Sequence, residues 1–260
     1  MGREVCRAVE LAPDLELVAA IDPFHAGEPL EGLLGSEVHG LGVFGDLDEL
    51  ISSGAEVVVD FTHVEVARDT LEFAAGAGLH AVVGTTGFSE EDYARLRARF
   101  AGPTSGAPNC IVAANFAIGA VLMMRFAELA APWFDGAEII ELHHPGKLDA
   151  PSGTARQTAE RIATARSSTG AEELAPDRTV TLVMDGARGG AGPGGVRIHS
   201  VRLQGLVAHQ EVIFGAVGQS LTIRHDSYDR ASFMDGVVLA VRSVADHPGL
   251  TVGIDSLLGL

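Results

Sequence analysis

The segment Glu141-Leu-His143-His144-Pro-Gly146-Lys147-Leu-Asp149-Ala-Pro-Ser152-Gly153-Thr154 is dense in groups able to do acid–base chemistry. Histidine titrates near neutrality, and a lysine pKa can be tuned downward by burial or a nearby cation. His143 and Lys147 are therefore candidate proton donors. His144 and Lys147 add positive charge to an otherwise acidic chain. Ser152-Gly153-Thr154 precedes a helical run from Ala155 to Ala165. Unpaired N–H groups and hydroxyls at such a helix start form an anion site, and a carboxylate fits it. The chemistry implied is proton transfer to a small anionic substrate.

Three plainer readings compete. Adjacent histidines can ligate a metal, but the pair lacks the i, i+4 spacing of a zinc helix and no third ligand is evident, so no metal is expected. Ser152 can be only a helix cap. The histidines can be ordinary core or surface groups. Two imidazoles and an amine within five residues, followed at once by a helix start, favour the functional reading.

A second set of candidates lies at predicted strand ends in the first half. These are Asp22, Asp60-Phe61-Thr62, Gly84-Thr85-Thr86-Gly87, and Ala113-Ala114-Asn115-Phe116. Glycine lets a ligand approach the backbone, and threonine hydroxyls can bond to it. Asn115 can present its amide to a nicotinamide carboxamide, or can simply turn the chain. A dinucleotide fingerprint places an acidic residue about 20 residues past its glycines, to take a ribose hydroxyl. The distance from Gly2 to Asp22 fits if Gly2 is the last of those glycines. The first strand and the other glycines are then expected upstream of Met1, with an internal methionine standing as residue 1. The plain alternative makes Asp22 a turn residue.

The elements that must carry these groups alternate. A helix is predicted from Arg3 to Leu11 and a doubly buried strand from Leu15 to Ile21. Asp46 is placed to cap a short helix through Ile51. Strands follow at Glu56 to Asp60, His80 to Val83 and Cys110 to Ala113. Helices are expected from Val64 to Ala77 and after Ser89, whose Glu90, Glu91 and Asp92 suit a first turn. This alternation indicates a parallel, doubly wound sheet, whose ligands sit at the carboxyl ends of the strands. The second half differs. Strands are predicted at Ala137 to His144, Thr179 to Val183, Val196 to Leu203, Ala208 to Val217 and Ser220 to His225, with a Gly-rich loop from Gly186 to Gly195. Their polar alternation points to a mixed sheet with one half-exposed face. A helix from Ala231 to Val244 returns.

The fold class expected is thus α/β. It comprises a Rossmann-like doubly wound sheet, lacking its first strand and most of its glycine loop, plus a smaller α+β domain with a mixed sheet. The nucleotide-binding domain is assigned residues 1–114 with a return at 231–260, and the substrate-binding domain residues 115–230.

Bulk composition narrows the partners. The chain has 260 residues, 47% of them hydrophobic, enough for one large or two small cores. With 18 basic and 35 acidic residues the net charge is −17, which disfavours nucleic acid and anionic membranes. Cys6 and Cys110 form no paired motif. The apolar runs are too short to span a bilayer and no signal-peptide pattern opens the chain, so a cytoplasmic protein is expected.

On these residues the chain resembles the 4-hydroxy-tetrahydrodipicolinate reductase (dihydrodipicolinate reductase) family. The match runs from His143 to Ala155 nearly throughout. Asp60-Phe61-Thr62, the block from Gly84 to Phe88, and that from Ala113 to Gly119 match in order. The resemblance implies reduction of 4-hydroxy-tetrahydrodipicolinate by NADH or NADPH with loss of water, in the diaminopimelate route to lysine. It implies a homotetramer assembled through the second domain. It makes His143 the proton donor or acceptor and Lys147 a proton donor. His144, Gly153 and Thr154 would hold the substrate carboxylates. Asp22, Gly84, Thr85, Thr86, Ala113, Ala114, Asn115 and Phe116 would line the cofactor. Pro23 stands where some members carry an arginine able to meet a 2′-phosphate, so NADH is expected to serve at least as well as NADPH. Gly146 replaces a bulkier residue common in the family. Two other outcomes stay open at this level: another two-domain dehydrogenase, or a non-catalytic dicarboxylate-binding descendant.

Overall fold

The structure is a computed structural model, and it describes every residue except 36–39 and 103–105. The chain divides into two compact units, Met1–Ala117 with Arg230–Leu260, and Ile118–Asp229.

The first unit opens with helix α1 (Gly2–Leu11), which buries Val5 and Val9. Strand β1 (Ala20–Ile21) is much shorter than the Leu15–Ile21 run predicted, and it is half-buried rather than buried on both faces. Helix α2 (Leu30–Leu34) follows, then β2 (Val43–Phe44), the parallel partner of β1 over two residues. A strand extends only where a ladder partner continues, and β2 ends after two. Helix α3 (Asp48–Ser52) begins one residue later than expected. Its N-cap position is Leu47, with no side-chain cap, so Asp46 does not cap it.

Strands β3 (Val57–Asp60), β4 (His80–Val83) and β5 (Cys110–Val112) pair in parallel, linked by helices α4 (Val64–Ala77) and α5 (Glu90–Arg99). Helix α4 buries Ala67, Thr70, Leu71 and Ala74, the spacing of one helical face. Ser89 and Asp92 cap α5 reciprocally: the Ser89 hydroxyl accepts from the Asp92 N–H, and the Asp92 carboxylate accepts from the Ser89 N–H. That carboxylate also takes Arg68 and Arg95. These charge-assisted bonds, the Arg68 pair foremost, hold it well below the usual carboxylate range.

The second unit starts with helix α6 (Ile118–Ala130) and places β6 (Gly136–His143) at the centre of a five-stranded sheet. Helix α7 (Gly153–Thr169) follows, burying Ala155, Thr158, Ala159, Ile162 and Arg166. The remaining strands are β7 (Gly190–Ala191), β8 (Arg197–Arg202), β9 (Ala208–Ala216) and β10 (Gln219–Ser227), in the order β10-β9-β6-β8-β7. The β6–β8 pair is parallel and the others antiparallel, so the sheet is mixed. The period-2 pattern of β6 buries Ala137, Ile139 and Glu141 on one face. The predicted strand at Thr179–Val183 does not form. That stretch is irregular, with Val180 and Val183 almost fully exposed, because it has no partner strand.

Residues 230–260 return to the first unit as helix α8 (Met234–Ser243) and strand β11 (Leu250–Val252), which pairs in parallel with β5. The sheet order becomes β11-β5-β4-β3. Gly236 lets α8 close onto the backbone: a Cβ there would lie 2.0 Å from the Phe116 carbonyl oxygen.

Candidate active site

His143 is the last residue of β6 and sits opposite Arg202 on β8 and Ala208 on β9. Glu141, two residues earlier, shares its face because side chains alternate along a strand. Glu141 is fully buried and is the hub of the site. Arg202 donates to it twice, Nη1 to Oε2 at 2.9 Å and Nη2 to Oε1 at 2.9 Å. The Ser152 N–H donates to Oε1 at 3.2 Å, and His143 Nδ1 lies 2.5 Å from Oε2.

The strand end and the start of α7 therefore meet on one carboxylate. Ser152 is also the N-cap of α7, its hydroxyl accepting from the Ala155 N–H at 3.2 Å. It is a cap, as the plainer reading had it, and a contact of the hub besides. Gly153 and Thr154 occupy the first turn, at the positive end of the helix dipole. A Cβ on Gly153 would meet nothing within 4 Å, so the space beside it is open.

The turn from His144 to Lys147 closes with the Lys147 N–H on the His144 carbonyl at 3.2 Å. His144 is exposed. A Cβ on Gly146 would come within 3.3 Å of its Nδ1, so the ring lies over this glycine. Lys147 Nζ donates to Asp149 Oδ1 at 2.7 Å. Arg202 Nη2 also reaches the Asp149 carbonyl at 2.6 Å, tying this turn to β8.

The electrostatics follow from this packing. Burial is the largest influence on the Glu141 carboxyl and pushes its pKa up. Hydrogen bonds from Arg202, Ser200 and His143 outweigh it, so the net shift is downward. Burial drives the His143 pKa down. Glu141 opposes that, and the charges of Lys147 and Arg202 add to it, leaving the value below the ordinary one. Lys147 is therefore near enough for His143 to feel its charge. The Lys147 hydrogen bond holds Asp149 below the usual range.

The first-unit candidates divide. Asp22 directly follows β1, and its Oδ1 accepts the Phe24 N–H at 3.0 Å. Thr85 is buried, and its hydroxyl donates to Asp60 Oδ1 at 2.7 Å, so that side chain serves the fold. Thr86 is exposed. What approaches Gly84 is the protein itself: a Cβ there would lie 2.0 Å from the Phe61 ring, which packs 5.7 Å from Phe116. Ala113 and Phe116 are buried and Ala114 is exposed. Asn115 Oδ1 accepts the Ala117 N–H at 2.8 Å, so the asparagine turns the chain as well. Sequence reasoning gave no role to Glu141 or Arg202. The two-residue step from Glu141 to His143 on a strand was the available signal for the first. Nothing local marked Arg202, 61 residues away.

Among the described residues no group of three or more His, Cys, Asp or Glu could hold a metal ion. None of the helices there is long and apolar enough to cross a membrane.

Comparison with known proteins shows the family. Residues 1–116 match the family model for the N-terminus of dihydrodipicolinate reductase, and residues 119–258 match that for its C-terminus. The 4-hydroxy-tetrahydrodipicolinate reductase of Cutibacterium acnes is 54% identical over 261 residues, covering 100% of this chain and 95% of the relative. That of Corynebacterium aurimucosum is 52% identical, with the same coverage. A dipicolinate-bound dihydrodipicolinate reductase from Paenisporosarcina sp. TG-14 superposes with a TM-score of 0.83 at 39% identity, covering 98% of this chain and 94% of that one. The likeness spans both units and includes the segment that carries the hub. The chain belongs to the dihydrodipicolinate reductase family and is an oxidoreductase acting on 4-hydroxy-tetrahydrodipicolinate.

Proposed function

We propose that the reaction uses NADH or NADPH, with His143 and Lys147 supplying protons and His144, Gly153 and Thr154 binding the substrate carboxylates. The observation that carries this reading is the convergence of His143 and the α7 N-terminus on Glu141, which holds an acid beside an anion-binding helix start. The dipicolinate held by the related structure is a flat ring with two carboxylates, the shape such a site suits.

The cofactor assignment rests on the first unit. Its parallel strands present Asp22, Thr86 and Ala114 at or just beyond their carboxyl ends, where nucleotides bind such sheets. Asp22 suits a free ribose 2′-hydroxyl better than a 2′-phosphate, so NADH is used at least as well as NADPH. The backbone about Gly84, Thr85, Ala113, Asn115 and Phe116 lines the same site. When bound, the nicotinamide supplies the hydride that reduces the conjugated ring at C4. The chain's own groups do the rest. Helix α7 and His144 fix the two carboxylates. A proton is lost from C3 as the hydroxyl, protonated by His143 or Lys147, leaves as water to give the conjugated ring, and after hydride addition a proton is returned to C3. Lys147 also offsets charge that develops on the ring.

Exchanging Lys147 for Ala is expected to lower kcat about 100-fold. Steady-state assays with each coenzyme, beside a melting curve, test this. Near-wild-type turnover in a folded Lys147→Ala protein removes the proton-donor role from that residue.

The working form in this reading is a cytoplasmic homotetramer. The open face of the mixed sheet, where Leu221 of β10 is partly exposed, supplies the surface. Sedimentation at assay concentration checks it, and a monomeric species there would end the tetramer assignment.

A further inference from the structure

Glu141 is ringed by donors: the Arg202 guanidinium on both oxygens, the Ser152 N–H, His143 Nδ1 and the Ser200 hydroxyl. Oε2 takes His143 Nδ1 and Arg202 Nη1, and Oε1 takes Arg202 Nη2 and the Ser152 N–H. The guanidinium donates to both oxygens and the backbone N–H can only donate, so these partners favour the ionised form. The carboxylate is thus held as an anion, and Nδ1 of His143 must be the nitrogen that carries the hydrogen toward it. Nε2 then lies on the far side of the ring from Glu141. The imidazole is not sealed in: 14% of its side-chain surface stays accessible.

We propose that Glu141 is a positioning residue for this reaction: clamped by Arg202, it holds His143 by Nδ1 so that Nε2 is the nitrogen that exchanges protons with the substrate. A carboxylate that fixes the tautomer of a working histidine, without itself touching substrate, is a recurrent device. Here a second element reports on the same anion. The clamp ties β8, the end of β6 and the cap of α7 together, so one carboxylate sets both the acid's orientation and the entry of the anion-binding helix. This extends the reading of His143 as the acid and rests on it.

The charged and titratable groups around the pair come from every neighbouring element. Ser200 and Arg202 lie on β8, and Gln210 on β9 pairs with Glu141 in register. His225 on β10 pairs with Gln210, which stands between it and Glu141. Lys147 and Asp149 come from the following turn, and Thr158 of α7 accepts from Gln210 Nε2 at 2.8 Å. His225 is the other imidazole on this face, and burial holds it below its ordinary value as well. Its resonances must be separated from those of His143.

The test begins on the wild-type protein. Nitrogen-15 spectra of the imidazoles, assigned with His143→Gln, are expected to show neutral His143 as the Nδ1–H tautomer. An Nε2–H tautomer overturns the proposal without any change to Glu141. Next come Glu141→Gln and Glu141→Asp. In Glu141→Gln the alkaline limb of kcat/KM is expected to move to lower pH by about one unit, because the anion that favours imidazolium is gone. Its kcat is expected to fall roughly 10–100-fold with KM within about twofold. The Asp variant keeps the charge and should recover part of both losses. A folded Glu141→Gln protein with wild-type kcat and pH profile overturns the proposal. If that variant does not fold, the wild-type tautomer and the Asp variant still decide. The two readings fail differently. If His143 is not the acid, its NMR titration still shifts in Glu141→Gln while the kinetic profile does not.

Discussion

His143→Gln is expected to lower kcat by roughly 10²–10⁴-fold, the range for loss of a general acid, while the protein stays folded. Glutamine keeps a side-chain N–H able to reach the Glu141 carboxylate, so the hub stays satisfied while the titrating group is lost. The pH dependence sharpens the expectation. In the free enzyme His143 titrates below its ordinary value, chiefly through burial. As a proton donor it is active when protonated, so kcat/KM falls as pH rises through that depressed value. A bound dicarboxylate brings two negative charges and raises the pKa again, so the limb in kcat lies at higher pH. Both limbs disappear in His143→Gln. Stability follows the same group with its own sign. A depressed folded-state pKa contributes stability that is fully present above the unfolded value of about 6.5 and is lost as pH falls through the folded one. The variant should lack that part of the acid sensitivity. Turnover near that of the wild type, at any pH, would assign the acid elsewhere.

Arg202→Leu is expected to be among the most destabilising single changes in the second unit. It leaves Glu141, fully buried, without the guanidinium that donates to both its oxygens. Breaking such a pair costs about 3–5 kcal/mol when both ions are buried. Arg202 keeps 20% of its side-chain surface, so the lower end, about 3 kcal/mol, applies. Urea titration with matched melting curves measures it. The pH dependence should reverse. With Arg202 present the Glu141 pKa is depressed, so its contribution is present above about pH 4.3 and is lost as pH falls through the folded-state value. Without Arg202 burial dominates, the pKa rises, and acidification relieves the unpaired charge. The double variant with Glu141→Gln should recover part of the loss. A single variant within about 0.5 kcal/mol of wild type would show that the clamp does not hold the charge.

Much of the fold is legible in residue order where local pattern and pairing agree. The helix at Val64–Ala77 and the strand at His80–Val83 form at their expected bounds because the apolar period and the burial coincide. The misses share a cause. Leu15–Ile21 and Thr179–Val183 both have strand-like composition, yet a strand exists only where a partner supplies a ladder. The first finds two residues of β2 and the second finds none. Asp46 is a suitable cap type, but the turn of the chain starts the helix at Asp48.

The segment from Glu141 to Thr154 shows the same division. Residue types and spacing alone determine that two imidazoles, an amine and a helix start lie within one short stretch, because a helix cap and a titratable side chain are local properties. Only the tertiary structure decides how they are held. The carboxylate that orients His143 is neutralised by Arg202, which lies 61 residues further along the chain. The parallel pairing of β6 with β8 sets Arg202 opposite His143 and within reach of Glu141, and strand pairing is a long-range choice that no local spacing encodes.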